Sequence, residues 1–242
     1  MKFRKLIPVA AITLSLAAGV LAAPSAQAIS GGVPSRRPEG AVQLAHQGQV
    51  ICGGTLVSQR FVVTARHCFY DDKGNELPLG QFQVNVGNHV RGQGEHFGVC
   101  RKYARIGVVT GGDQAQGAFS DIMVIQLNRN VGQTNQIVGY SGSRPVIGST
   151  VSIRGWGQSG DLRVANMRVN AFNVKIDAVP DGMELRQATG ISQKGDSGGP
   201  VLQGGKLVGV ISEGESNPPG TIAVEVARYH DWIAQTLQSR LC

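Results

Sequence analysis

From Val42 to Ile233 the chain is written as short apolar runs, broken by Gly, Pro, Asn and Asp at intervals of roughly 8–15 residues, and this spacing leaves few folds open. The runs are Ala41–Ala45, Val50–Val57, Phe61–Ala65, Gln81–Val86, Ala104–Thr110, Ile122–Leu127, Thr150–Trp156, Met167–Val174, Pro200–Gln203, Lys206–Ile211 and Thr221–Glu225. Each suits a strand and is too short for a core helix. The breakers, among them Asp71-Asp72-Lys73-Gly74-Asn75, Gly111-Gly112-Asp113 and Asn217-Pro218-Pro219-Gly220, are turn formers. With 34 Gly and 10 Pro in 242 residues the chain is rich in turns without reaching the share that marks disorder, and collagen and coiled-coil architectures are excluded. The reading is all-β. One segment departs from it: between Arg228 and Leu241, Tyr229, Trp232, Ile233, Thr236, Leu237 and Leu241 recur at three- and four-residue steps, which predicts an amphipathic helix of about four turns. The stretch 128–150, rich in Gly, Ser, Asn and Gln, is the natural connection between two β units.

The first 28 residues have the make-up of an export signal: basic Lys2, Arg4 and Lys5, an apolar stretch from Leu6 to Ala23, and the small-residue site Ala26-Gln27-Ala28. Pro8, Gly19 and Pro24 interrupt the apolar stretch, which argues against a membrane anchor. Cleavage after Ala28 is expected, leaving a domain of residues 29–242 that begins Ile29-Ser30-Gly31-Gly32 and is secreted. Losing the three basic residues lowers the net charge from +7 to +4, too diffuse for nucleic-acid binding. In an oxidising compartment the 4 Cys are expected to form two disulfides, and their spacing offers no zinc site. No metal or cofactor is called for.

Three segments carry chemistry. In Gly195-Asp196-Ser197-Gly198-Gly199-Pro200 a serine is held between glycines. A sharp turn there exposes the hydroxyl and can aim the amides of Gly195 and Ser197 at one point, as a developing oxyanion requires. In the second, Cys52-Gly53-Gly54-Thr55 leads through Val62-Val63-Thr64-Ala65 to Arg66-His67-Cys68. His67, fixed at a strand end, suits a general base, although a histidine alone is more often structural. In the third, Asp121 stands at the mouth of the apolar strand Ile122–Leu127. An acid there is ordinarily a turn or cap residue, unless a partner such as His67 stabilises its charge.

Taken together, and with the Ile-x-Gly-Gly start, Gly155-Trp156-Gly157 and the final Tyr229-x-Asp231-Trp232-Ile233, these segments resemble the trypsin/chymotrypsin-like serine peptidases over essentially the whole of residues 29–242. The resemblance implies two six-stranded antiparallel β-barrels with a C-terminal α-helix and the site in the cleft between the barrels. It implies Ser197 as nucleophile, His67 as general base and then acid, Asp121 as the group that orients the imidazole, and Gly195 and Ser197 as oxyanion-hole donors. It also implies that Asp196 pairs with a new N-terminal ammonium once a preceding segment is cut; because the signal-cleavage site directly precedes Ile29, export itself is expected to generate that terminus without a separate activation step. The rivals are a secreted precursor cut elsewhere and an Arg154–Asp196 pair, as in related bacterial enzymes. The resemblance supplies the Cys52–Cys68 disulfide, and Cys100–Cys242 follows by elimination.

Several positions depart from the family pattern. Arg66 replaces a small residue before the histidine and is expected to point outward. The floor of the specificity pocket is Ile191 where trypsin has Asp, and Ser212-Glu213-Gly214 stands where Ser-Trp-Gly is usual. An Ile floor favours apolar side chains, whereas Glu213 and Glu215 near the mouth attract cations, so the two features pull in opposite directions. Apolar preference is the expectation. Asp71, Asp72, Asn75 and Glu76 lie where some relatives bind calcium, but their spacing fits a turn better. The expected activity is that of a secreted, monomeric serine endopeptidase acting on proteins or peptides, open to proteinaceous inhibitors, with no nucleic-acid or membrane partner. The style of the leader and the small size suggest a bacterial source. The alternatives are a catalytically weak or inactive binding protein on the same scaffold and an esterase of similar mechanism.

Overall fold

Some strands are buried along their whole length and others alternate between core and solvent. Along Arg163–Ile176, Ala165, Met167 and Val169 are buried while Asn166, Arg168 and Asn170 are exposed, so one face of the strand is core and the other solvent. The computed structural model describes residues 28–109, 114–158 and 160–242. The expected leader, Ala28 apart, lies outside the described residues.

A two-residue strand, β1 (Val33–Pro34), precedes six strands that close on themselves: β2 (Ala41–His46), β3 (Gln49–Ser58), β4 (Phe61–Thr64), β5 (Phe82–Val86), β6 (Glu95–Val108) and β7 (Gln114–Leu127). Their order is β2-β3-β4-β7-β6-β5, with β2 pairing β5 to seal the barrel. The chain then crosses through a short strand, β8 (Gly139–Tyr140), to β9 (Thr150–Gly155), β10 (Arg163–Ile176), β11 (Val179–Gln187), β12 (Pro200–Gln203), β13 (Lys206–Ser216) and β14 (Pro219–Glu225). These form a second ring, β9-β10-β11-β14-β13-β12, sealed where Val201 and Leu202 of β12 pair with Ile153 and Ser152 of β9. Pairing within both rings is antiparallel, and the two six-stranded barrels are those expected.

Closure removes the exposed sheet edges that would otherwise invite association. Leu44, Leu56, Val63, Phe97, Met123 and Ile125 fill the first barrel, and Ile153, Met167, Leu185, Val201 and Ala223 fill the second. The first cluster continues through Leu207, Val210 and Val224 to Tyr229 and Ile233, so apolar contact fixes one barrel against the other. A backbone bond reinforces the junction: Gly53 N–H donates to the Ser197 carbonyl at 2.7 Å.

The C-terminal helix is shorter than its periodicity predicts. A 3₁₀ turn, Val226–Tyr229, leads into α1 (His230–Thr236), and there the helix ends. Two causes act there. Thr236 Oγ1 donates back to the Trp232 carbonyl at 2.7 Å, and Cys242 is tied by a disulfide to Cys100 on β6, which draws the last residues away from the helix axis. The Cys52–Cys68 disulfide also forms. Among the described residues no helix is long and apolar enough to cross a membrane.

Candidate active site

The site assembles where β3, β4 and β7 of the first barrel meet the β12–β13 hairpin of the second. β4 ends at Thr64, and the following 3₁₀ turn, His67–Phe69, is held by the Cys68–Cys52 disulfide to β3. This fixes the backbone of His67 and leaves its ring about half exposed (48%) in the cleft. Asp121 sits in β7, its side chain 7% exposed.

The Asp121 carboxylate is saturated by donors. Oδ1 accepts the His67 backbone N–H at 2.8 Å, and Oδ2 faces His67 Nδ1 at 2.8 Å and accepts from Ser212 Oγ at 2.6 Å. Burial alone would raise its pKa, but the bonds and charge of His67 and the Ser212 hydroxyl outweigh it and hold the pKa below the usual value. For His67, burial favours the neutral ring, and the Asp121 hydrogen bond and charge, helped by Glu213 and Asp177, overcome it and raise the pKa above 6.5. The carboxylate fixes Nδ1 as the protonated nitrogen and leaves Nε2 facing the cleft as an acceptor.

Ser197 follows Asp196 in a turn made possible by Gly195, at φ 94°, and Gly198, at φ 79°. A Cβ on Gly198 would collide with Thr64 and the Gly53 carbonyl, so the approach of the two barrels needs glycine there as well. Ser197 Oγ donates to the Ser212 carbonyl at 3.3 Å instead of to His67. Among the described residues, neither the Gly195 nor the Ser197 backbone N–H has an acceptor within the chain. Two unsatisfied amides beside a serine hydroxyl are an anion-binding arrangement.

Asp196 is wholly buried and accepts three N–H groups: Gly157 at 2.8 Å, Gln193 at 2.8 Å and Ile29 at 3.1 Å. With the Ile29 nitrogen in a peptide bond, burial outweighs these bonds and pushes the Asp196 pKa up to about 6. The Ile29 side chain is itself fully buried in the second barrel's core. Arg154 does not reach Asp196; it pairs with Glu39 and donates to the Arg37 carbonyl. The Gly155-Trp156-Gly157 motif now has its reason. A Cβ on Gly155 would overlap the Asp196 carboxylate, and one on Gly157, at φ 54°, would lie 2.7 Å from Ala28 Cα.

Ile191, Ser212, Glu213 and Gly214 line one cavity of about 330 Å³ that opens at Ser197. Lys194 stands exposed on its wall, and Ser192 is bonded to Thr221 Oγ1 by both its amide and its hydroxyl. Glu215 also lines it but is engaged by Arg186 at 3.5 Å. The sequence reading missed Asp177, in the β10–β11 turn at φ 50°, which joins His67 and Glu213 on a neighbouring cavity. It also missed Asp181, buried on β11, whose carboxylate accepts from Ser120 and Tyr229 directly behind Asp121. Arg66 lies over the rings of Tyr70 and Phe119, at 4.3 and 5.0 Å from their centres, and the charges acting on His67 are those of Asp121, Glu213 and Asp177. The Asp71 carboxylate caps its own turn, accepting from Lys73 N–H, Asn75 N–H and the Asn75 side chain, while Glu76 pairs with Lys102. Cys52, His67 and Cys68 are close enough to share a metal, but both sulfurs belong to the disulfide.

Comparison with known proteins agrees with this architecture. The family model described as Trypsin matches residues 29–233. Trypsin beta of Drosophila erecta is 31% identical over 214 residues, covering 79% of this chain and 81% of that protein. Snake venom serine protease 3 of Craspedocephalus gramineus is 31% identical over 219 residues, covering 79% and 80%. Among solved structures, the scabies mite inactivated protease paralogue S-D1 superposes with a TM-score of 0.71 at 21% identity, covering 88% of this chain and 99% of that one. Human heparin binding protein gives 0.70 at 23%, covering 88% and 99%. At these identities the structural likeness concerns the fold. These relatives are animal proteins, and the bacterial source suggested by the leader finds no support among them. Through its family match over residues 29–233 and its relatives of about one-third identity, the chain belongs to the trypsin family of serine proteases.

Proposed function

We propose that the protein is a secreted serine endopeptidase in which Ser197 is the nucleophile, His67 the general base and Asp121 its orienting partner. The observation that carries this reading is the saturated Asp121 carboxylate: both oxygens are occupied by His67 and Ser212, which leaves the imidazole one orientation, with Nε2 turned to the cleft that holds Ser197. A turn of the Ser197 χ1 away from the Ser212 carbonyl brings its hydroxyl to that nitrogen. Oγ then attacks a peptide carbonyl as its proton passes to Nε2, and the amides of Gly195 and Ser197 hold the oxyanion. Collapse returns the proton from Nε2 to the departing amine, leaving an ester on Ser197. Water, deprotonated by the same nitrogen, hydrolyses the ester and restores the serine.

Removal of residues 1–28 leaves the Ile29 ammonium against Asp196, which fixes the Gly195–Ser197 turn beside it. The Ile191 cavity favours an apolar substrate side chain, since Ile191 takes the position that the family resemblance makes the floor, Ile211 adds a second apolar side chain, and Glu215 is engaged by Arg186. Protein or peptide substrates and proteinaceous inhibitors would share this cleft, and the protein acts as a monomer.

The test is reaction of the folded protein with a small fluorophosphonate, beside Ser197→Ala, followed by mass mapping. Stoichiometric modification at Ser197 that is absent in the variant is expected. Folded wild-type protein that fails to react would overturn the reading in favour of a binding protein, with the Ser197 hydroxyl held on Ser212 as the reason.

A further inference from the structure

The cleft holds two cavities of different chemistry on either side of the shared wall formed by Ser212 and Glu213. The first runs over Ile191 and opens at Ser197. The second, about 260 Å³, is lined by His67, Asp121, Ile176, Asp177, Ser212 and Glu213. Ile176, 3% exposed, gives the second cavity an apolar wall. Asp177 and Glu213 give it two carboxylates, contributed by the β10–β11 turn and by β13.

These two acids differ from others in the molecule. Glu39, Glu76, Glu95, Glu184, Glu215 and Glu225 each meet an Arg or Lys. The carboxylates of Asp177 and Glu213 have neither an ion pair nor a hydrogen bond among the described residues; burial first, and then the charge of Asp177, makes Glu213 a weaker acid, and both charges add to the larger effect of Asp121 in strengthening His67 as a base. Two like charges left facing one cavity repel each other, and a cation between them relieves the repulsion. An apolar wall that ends in carboxylates suits the methylene stem and charged tip of Lys or Arg.

Register decides which substrate residue arrives there. An extended peptide running along Ser212–Gly214 places successive side chains on opposite sides. With one side chain in the Ile191 cavity, the preceding one faces His67 and the second cavity.

We infer that the second cavity is a cation-selecting subsite, which takes the Lys or Arg side chain of the substrate residue immediately N-terminal to the one in the Ile191 cavity, with Asp177 and Glu213 setting the selectivity. The inference rests on the reading of Ser197 and His67 as the hydrolytic pair. It also resolves the opposition in the sequence between an Ile floor and acids at the mouth, because the two features address neighbouring substrate residues. Glu215, held by Arg186, takes no part.

The test uses peptidyl diphenyl phosphonates Ala-Lys-Leu, Ala-Ala-Leu and Ala-Glu-Leu with the phosphonate at Leu, beside the small fluorophosphonate, which has no side chain for the second cavity. The Lys probe is expected to inactivate about tenfold faster than the Ala probe, the sum of two partly exposed ion pairs, and the Glu probe more slowly than either. In Asp177→Asn/Glu213→Gln the Lys-to-Ala ratio should fall to near one. If the fluorophosphonate modifies Ser197 but the ratio is near one in the wild type, survives in the double variant, or cannot be formed because no peptidyl probe reacts, the subsite is refuted. Failure of the fluorophosphonate itself refutes the hydrolytic reading instead.

Discussion

Keeping Ser25–Ala28 in front of Ile29 should destabilise the fold at neutral and alkaline pH, and the size of the effect follows from Asp196. In a chain whose Ile29 nitrogen is a peptide N–H, this fully buried carboxyl has a pKa of about 6 against an ordinary 3.8. An acid whose pKa is raised by folding favours the folded state below its unfolded pKa, and that stability is lost as pH rises through the folded value. At about 1.4 kcal/mol per pH unit, the difference amounts to a penalty of about 3 kcal/mol once the solution is well above pH 6. A chain that begins at Ile29 escapes it, because the ammonium stands where the N–H now lies 3.1 Å from Asp196 Oδ2. For a domain of this size about 3 kcal/mol corresponds to a Tm difference of roughly 6–12 °C.

The assay is calorimetry of the two chains, one starting at Ile29 and one at Ser25, between pH 4 and pH 8. The Ile29 chain should be the more stable at pH 8, and the gap should shrink as pH falls toward 4 and Asp196 in the longer chain takes up its proton. Equal Tm values at pH 8, or a gap that does not change with pH, would show that Asp196 does not depend on the terminus.

Three further outcomes are expected. Gly155→Ala places a methyl group against the Asp196 carboxylate and should displace it from its three N–H donors; at about 1 kcal/mol for each bond lost, calorimetry should show a loss of about 3 kcal/mol, together with slower fluorophosphonate labelling. Reduction-proof variants should separate the disulfides: Cys100→Ser, opening a bridge with a sequence separation of 142, should cost about 5 kcal/mol in chain entropy, and Cys52→Ser, with a separation of 16, about 3 kcal/mol, so the first should unfold at the lower denaturant concentration. Asp181→Asn should flatten the pH dependence of stability: burial raises the Asp181 pKa, so the native protein loses stability as pH rises through the carboxyl's titration, and the amide, which does not titrate, removes that slope from a series of urea melts.

Most of the fold could be read from short apolar runs between turn formers, because strands such as β2, β4, β12 and β14 are buried along nearly their whole length. Where other demands overrode the pattern, the reading failed. β11 carries Pro180, Asp181 and Gly182, which in sequence signal a turn. In the folded chain Asp181 bonds Ser120 and Tyr229 across the barrel junction, and a Cβ on Gly182 would lie 2.7 Å from the Val174 carbonyl, so local signals for a loop serve a buried strand. The first half of β6, Glu95–Lys102, is interspersed with polar residues and carries no apolar run, since only Phe97 and Val99 of its apolar side chains reach the core before Tyr103. The C-terminal helix is shorter than its pattern for the converse reason: the periodicity continues past Thr236, but the tether from Cys242 to Cys100 does not let the chain follow it.

The candidate site divides along the same line. His67, Asp121, Ser197 and Asp196 lie in dense local motifs, and three of them have a neighbour whose identity is forced by contact: Gly198 beside Ser197 by Thr64, Gly155 by Asp196, and Cys68 beside His67 by Cys52. Such constraints leave a trace in the sequence. Selectivity leaves a weaker one, because it depends on which charges remain unpaired after folding, and pairing is a property of space. In sequence Glu213 and Glu215 are equivalent acids two residues apart, and Asp177 is a turn residue remote from both. Folding gives Glu215 to Arg186 and sets Asp177 beside Glu213, so the one unpaired carboxylate of the Ile191 cavity is the one on the wall it shares with the cavity next to His67. A charge counted along the chain therefore says that a cation is attracted somewhere; only the pairing of charges in the folded chain says which substrate residue would carry it.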